Sequence, residues 1–226
     1  MSETRKSSPQ PASQSTPKTD CYSDRERRGM ERYQIAKGNI LHPLLVLMTT
    51  LRVTPDAVTV FAGVIGLIFV PFWMTDQKVI ALGFLLAHVV LDGLDGALAR
   101  HQNVASSRGS FTDTFVDQMV VTGATIAWIA VAPTTINIAV GVVFVFFYVM
   151  VVALAMARNS LAVPYAFLVR PRYFFYAALA IDGLMVTNAT FYVLLISDGL
   201  LAVASVTGFL VVRRQLPGPE PENGEN

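Results

Sequence analysis

Between Leu91 and Gln118 the chain reads LDGLDGALARHQNVASSRGSFTDTFVDQ, and Asp92, Asp95, Asp113 and Asp117 stand there in stretches otherwise apolar enough to cross a bilayer. An ionised carboxylate at the centre of a membrane helix costs about 2.5–3.5 kcal/mol on insertion scales, so acids in such places demand partners. Asp92 and Asp95 are three residues apart and Asp113 and Asp117 four apart, so each pair projects from one face of its helix. The loop HQNVASSRG between them is short. It predicts antiparallel neighbours whose four carboxylates converge at one end. Four such groups without a nearby lysine point to a metal, and their hard oxygen ligands suit Mg²⁺ or Mn²⁺, whereas zinc would draw Cys or His. Capping helix ends and pairing with Arg100 and Arg108 could account for one or two of these acids, but not for four at one-faced spacing.

Outward from this stretch the composition agrees with a membrane setting. Only 15% of the 226 residues are charged and 53% are hydrophobic, against about 25% charged in a soluble domain. The formal charge of +1 removes a strongly basic nucleic-acid binder, and the single cysteine, Cys21, removes a disulfide framework and a Cys-based zinc site. The fold class expected is an all-α integral membrane protein with six transmembrane helices preceded by an interfacial amphipathic helix. Residues 1–22, rich in Ser, Thr, Pro and Gln, read as a disordered tail without a secretory signal, and 23–52 as the interfacial juxtamembrane helix. Residues 53–214 form the six-helix domain, and 215–226 a second disordered tail. Within the domain the expected spans are Pro55–Met74, Lys78–Arg100, Ser110–Ala132, Thr134–Ala157, Tyr173–Ile196 and Gly199–Val212, the first opened by Thr54 as N-cap and Pro55 at the first helical position.

Orientation follows from the basic residues. With six spans, Lys78 alone among the 17 Lys and Arg falls on the far side, so both termini and the acids are expected at the cytoplasmic face. Intramembrane acids also mark ion pathways, so a divalent-cation transporter or channel is the alternative, although no second acidic layer continues across the membrane.

Written as a pattern, the segment is Asp92-x2-Asp95-Gly96-x2-Ala99-Arg100-x8-Gly109-x3-Asp113-x3-Asp117. It resembles the complete signature of the CDP-alcohol phosphotransferases, the family that includes phosphatidylinositol-phosphate and phosphatidylglycerol-phosphate synthases. The opening Thr54-Pro55-Asp56-x2-Thr59 is also similar to that family's first span. The resemblance implies a membrane transferase of phospholipid biosynthesis that moves a phosphatidyl group from a CDP-linked lipid, such as CDP-diacylglycerol, to an alcohol, releasing CMP. It further implies two Mg²⁺ or Mn²⁺ ions, one on Asp92, Asp95 and Asp113 and one on Asp92, Asp113 and Asp117. Asp117 would be the general base, Gly96, Arg100 and Gly109 would bind the cytidine diphosphate, and the protein would be a homodimer.

Arg158, Arg170 and Arg172 flank the loop after the fourth span. They suit either a pocket for a phosphorylated acceptor or simple anchoring to anionic head groups. Arg170-Pro171-Arg172-Tyr173 is only partly similar to the Arg-Pro-Glu-Arg of phosphatidylinositol-phosphate synthases, which leaves the acceptor open. Asp182, inside the fifth apolar stretch, reads as a functional candidate or a polar brace between helices, and His88, one turn before Asp92, as the partner in an ordinary interhelical hydrogen bond or as a support for that carboxylate.

Overall fold

The structure is a computed structural model, and it describes residues 41–161, 171–185 and 187–215. The expected N-terminal tail, the interfacial segment before Leu41, Arg170 and residues 216–226 lie outside the described residues. Among the described residues seven helices follow one another: α1 (Leu41–Thr50), α2 (Pro55–Met74), α3 (Lys78–His101), α4 (Ser107–Val131), α5 (Thr135–Ser160), α6 (Arg172–Met185) and α7 (Ala189–Gln215). There is no strand among the described residues. Helices α2, α3, α4, α5 and α7 are long and apolar enough to cross a membrane. With its 14 residues, α6 covers about 21 Å at 1.5 Å per residue, less than a hydrocarbon core of about 30 Å.

The helix ends follow local chemistry. Thr54 caps α2 through an Oγ1 that accepts from the Ala57 N–H at 3.3 Å, with Pro55 just inside. Ser106 does the same for α4, accepting from the Gly109 N–H at 3.2 Å, so that helix begins three residues earlier than the apolar pattern alone suggests. Helix α3 closes with Asn103 at φ 57° and the Val104 N–H donating to the Ala99 carbonyl at 3.0 Å, a left-handed stop that turns the chain towards α4.

The boundary between the last two helices differs from the expected one. The apolar run expected as Tyr173–Ile196 breaks after Met185, and α7 occupies Ala189–Gln215 rather than Gly199–Val212. Asp182 causes the break. Its carboxylate accepts from the Thr187 hydroxyl at 2.5 Å and from the Ala189 and Thr190 N–H groups at 2.7 and 2.9 Å, satisfying the first donors of α7 inside an apolar sequence. Asp182 is therefore the brace rather than part of the acidic site. Asp198, expected between spans, lies buried within α7.

Packing centres on two groups. Helix α2 lies against α3 and α4, and α5 against α7, around a core that includes Phe69, Trp128, Phe144, Phe175, Leu194 and Leu201. A smaller core at the other end joins Leu45 of α1 to Val58, Leu94 and Leu98, docking α1 beside the end of α3. Two glycines let α2 approach its neighbours. A Cβ on Gly63 would meet Val116 Cγ1 at 2.5 Å, and one on Gly66 would meet Val120 and the His88 ring at 2.8 and 2.9 Å. Large apolar side chains such as Phe61, Leu86, Val90, Phe115 and Phe146 face outward, each more than half exposed. In a soluble protein such surface would be a liability; against lipid it is the required exterior.

Candidate metal centre

The α3–α4 hairpin brings three of the four aspartates together. Asp92, Asp113 and Asp117 each offer a carboxylate oxygen within 4.8 Å of the others. Asp95 is also close-packed but otherwise engaged: it is buried, its Oδ2 accepts from the Thr59 hydroxyl at 2.5 Å, and its Oδ1 accepts from the Gly96 N–H. Asp92 lies nine residues before the last residue of α3, about 13 Å at the helical rise, so the cluster sits below the end of the bundle. A largely shielded, all-oxygen donor set at this separation fits a hard divalent cation.

Arg172, at the start of α6, is the cation that meets these acids. Its Nη2 stands 3.1 Å from Asp92 Oδ2, and its Nη1 pairs with Asp117 Oδ2, so one guanidinium joins a carboxylate of α3 to one of α4. All three side chains are about nine-tenths shielded, at 11%, 11% and 13% exposure, where charge pairing is felt far more than at an open surface. Nη2 also donates to the Tyr173 hydroxyl at 2.8 Å, and the guanidinium lies 4.7 Å from that ring's centroid.

Behind the acids stands His88, 1% exposed. Its Nδ1 lies 3.0 Å from the Ala62 carbonyl and its Nε2 lies 3.8 Å from Asp117 Oδ1, an oxygen with no hydrogen-bond partner among the described residues. His88 thus makes the expected interhelical contact, from α3 to α2, and its other nitrogen faces Asp117 rather than Asp92. The space it needs is supplied by Gly66.

Of the other expected site residues, Gly96 and Arg100 lie in the C-terminal part of α3, Gly109 in the first turn of α4 and Arg158 in the last turn of α5. The Arg100 guanidinium folds back over Gly96, 3.4 Å from where a Cβ there would be. Gly109 faces Asp56 in the first turn of α2, whose Oδ1 would lie 3.6 Å from a Cβ at that position. Arg158 is buried at the end of α5. Arg170 lies outside the described residues. Two contacts were not legible beforehand. Thr59 stood out only as part of a family-like opening, although its hydroxyl holds Asp95. Nothing in the spacing indicated that Arg172 pairs with acids 80 and 55 positions earlier (172 − 92 and 172 − 117).

Long apolar helices around a largely shielded cluster of carboxylates define a multi-pass membrane protein with a candidate divalent-metal centre. Residues 52–212 match the family model of the CDP-alcohol phosphatidyltransferases, and the chain belongs to that family. It is 32% identical over 94 residues to the inner membrane protein YnjF of Escherichia coli, covering 42% of this chain and 45% of that protein. It is 33% identical over 110 residues to a CDP-diacylglycerol–serine O-phosphatidyltransferase of Mycobacterium tuberculosis, covering 49% of this chain and 38% of that one. The matched segments therefore make up less than half of these relatives. In fold the chain is similar to the Mycobacterium tuberculosis phosphatidylinositol phosphate synthase PgsA1 with CDP-DAG bound. The TM-score is 0.69 at 16% identity, over 81% of this chain and all of that one. The same enzyme in complex with manganese and citrate gives a TM-score of 0.60 at 19% identity, over 76% and 87% of the two chains.

Proposed function

We propose that this protein transfers a phosphatidyl group from a CDP-linked lipid to an alcohol and releases CMP. The observation that carries the reading is the convergence of Asp92, Asp113 and Asp117 within 4.8 Å inside a chain of this family. These three and Asp95 would hold two Mg²⁺ or Mn²⁺ ions, which supply charge neutralisation at the diphosphate when bound. That a protein of similar fold forms a complex with manganese supports reading the cluster as a divalent-metal site.

The chain's own groups do the rest. Arg100, folded over Gly96, and Gly109, beside Asp56, form the seat of the cytidine diphosphate. Asp117 accepts the proton of the acceptor hydroxyl. The freed oxygen bonds to the phosphorus nearer the lipid as the bond from that phosphorus to the CMP oxygen breaks. Arg158, Arg170 and Arg172 hold the acceptor side, where guanidinium forks suit a phosphate on the alcohol. A lipid donor accounts for a membrane site, since the acyl chains stay in the bilayer while the head group reaches the acids.

The topology proposed has six spans, with α6 as the short one. Its first residue, Arg172, meets Asp92, while Gly183 near its end packs against Trp73 at the other end of α2, so α6 runs the length between them. Six spans place both termini and the acids on the cytoplasmic side, given the basic residues at that end. The working unit is a homodimer.

The test offers purified protein CDP-diacylglycerol with a panel of alcohols and alcohol phosphates. CMP release and a phosphodiester product, both lost in Asp117→Asn, support the reading. Divalent-cation flux through liposomes without CMP release contradicts it.

A further inference from the structure

We propose that Arg172 is a cation gate on the aspartate cluster: its guanidinium holds Asp92 and Asp117 until a divalent ion displaces it, and the displaced guanidinium then grips a substrate phosphate. The proposal rests on reading the aspartates as metal ligands.

The geometry carries it in three ways. First, the guanidinium bridges two carboxylates from two helices, Asp92 of α3 and Asp117 of α4, through a different nitrogen for each. Both acids belong to the group whose oxygens converge. A divalent ion seated among those carboxylates competes with the guanidinium, because both are cations and both draw on carboxylate oxygens as acceptors.

Second, the charges are unequal in a way that favours exchange. Three converging carboxylates carry, when all are ionised, more negative charge than the single positive charge of Arg172 offsets. A divalent ion neutralises more of that charge. The guanidinium therefore works as a placeholder, which keeps the hairpin from splaying under its own repulsion yet yields to the stronger ligand.

Third, Arg172 has a partner besides the acids. Tyr173 presents its hydroxyl at 2.8 Å and its ring face at 4.7 Å to the same guanidinium, and that tyrosine is 46% exposed. These contacts coexist with the bridge to the acids, so a guanidinium released from the carboxylates still has a partner in Tyr173. There its planar fork matches a phosphate, whether the diphosphate of the donor or a phosphate monoester on the acceptor.

Metal and phosphate binding are then linked through one side chain. An ion that expels Arg172 makes it available to phosphate, and a phosphate that retains Arg172 clears the acids for the ion. By reciprocity each raises the affinity of the other by the same factor.

The experiment is Mn²⁺ binding by electron paramagnetic resonance on the purified full chain in lipid nanodiscs, without substrate and then with inorganic phosphate, glycerol phosphate or CDP-diacylglycerol. The proposal expects Arg172→Gln to bind Mn²⁺ about ten-fold more tightly than wild type when no substrate is present, within the usual range of such couplings. It also expects phosphate ligands to tighten Mn²⁺ binding in wild type but not in Arg172→Gln. Tightening by CDP-diacylglycerol alone identifies the donor diphosphate as the partner of Arg172, and tightening by glycerol phosphate or inorganic phosphate identifies the acceptor side. Arg172→Lys, which keeps the charge but not the bridging fork, falls between the two and serves if the Gln variant does not fold. Equal or weaker Mn²⁺ binding in Arg172→Gln and Arg172→Lys, with binding still abolished by Asp113→Asn, overturns the gate and leaves the metal centre standing. Mn²⁺ binding unaffected by Asp113→Asn overturns the metal centre itself, and the gate with it.

Discussion

The Thr59 hydroxyl on α2 donates to Asp95 on α3 at 2.5 Å, and Thr59 is itself only 6% exposed. This bond ties the first span to the acidic hairpin and fixes the carboxylate that stands just outside the converging three. It is the contact through which α2, which contributes no acid to the cluster, controls the cluster's shape.

Removing that hydroxyl while keeping the volume tests its role. Thr59→Val leaves a buried carboxylate short of a donor, at a cost of about 1–3 kcal/mol. Transferase activity should fall about 10- to 100-fold, as is usual when a group orienting a metal ligand is lost. Thr59→Ser restores the donor and should recover most of the rate. Rate measurements on the two variants at saturating Mg²⁺ check this, and equal activity in both would contradict it.

Gly66 is where α2 admits His88. A Cβ there would lie 2.8 Å from Val120 and 2.9 Å from the His88 ring, both fully buried. Gly66→Ala should therefore destabilise by about 1–3 kcal/mol through overpacking. A drop in the thermal midpoint of the purified protein is the expected reading. Gly83, with nothing within 4 Å of its Cβ position, is the matched control, and Gly83→Ala should leave the midpoint unchanged or slightly raised.

Asp182 predicts a separation of stability from activity. Asp182→Ala removes the acceptor for two backbone N–H groups and for Thr187, so it should cost about 0.5–2 kcal/mol, the range for lost helix caps. The turn lies at the end of α6 remote from Arg172, so turnover at low temperature should persist while the thermal midpoint falls. Loss of turnover in protein that remains folded would place Asp182 in the site after all.

Much of this arrangement was legible in the residues. The one-faced spacing of the four aspartates, the short loop between them, and the Thr54-Pro55 start each rest on local periodicity or capping, which a sequence displays directly. The α6–α7 turn was not, because residues 173–196 form one apolar run and hydropathy cannot show that Asp182 folds back to cap the next helix. Asp198 was misplaced for the same reason. The tie from Thr59 to Asp95 and the insertion of Arg172 between Asp92 and Asp117 depend on how distant helices cross, and that crossing is set by glycines whose neighbours only the fold reveals. Three of the four acids converge as their spacing implied; the fourth is held aside by a hydroxyl that no pattern of acids could announce.

The central claim is that the aspartate cluster is a metal centre that serves phosphatidyl transfer. CMP release from CDP-diacylglycerol should be measured on wild-type protein stripped with chelator, then reloaded with Mg²⁺ or Mn²⁺, beside Asp92→Asn treated identically. The account predicts activity abolished by chelation and restored by either ion in wild type. It predicts a loss of more than about 100-fold in Asp92→Asn at every metal concentration, as expected when charge stabilisation at the reacting phosphate is removed. Full CMP release by stripped protein, or by Asp92→Asn, would contradict it.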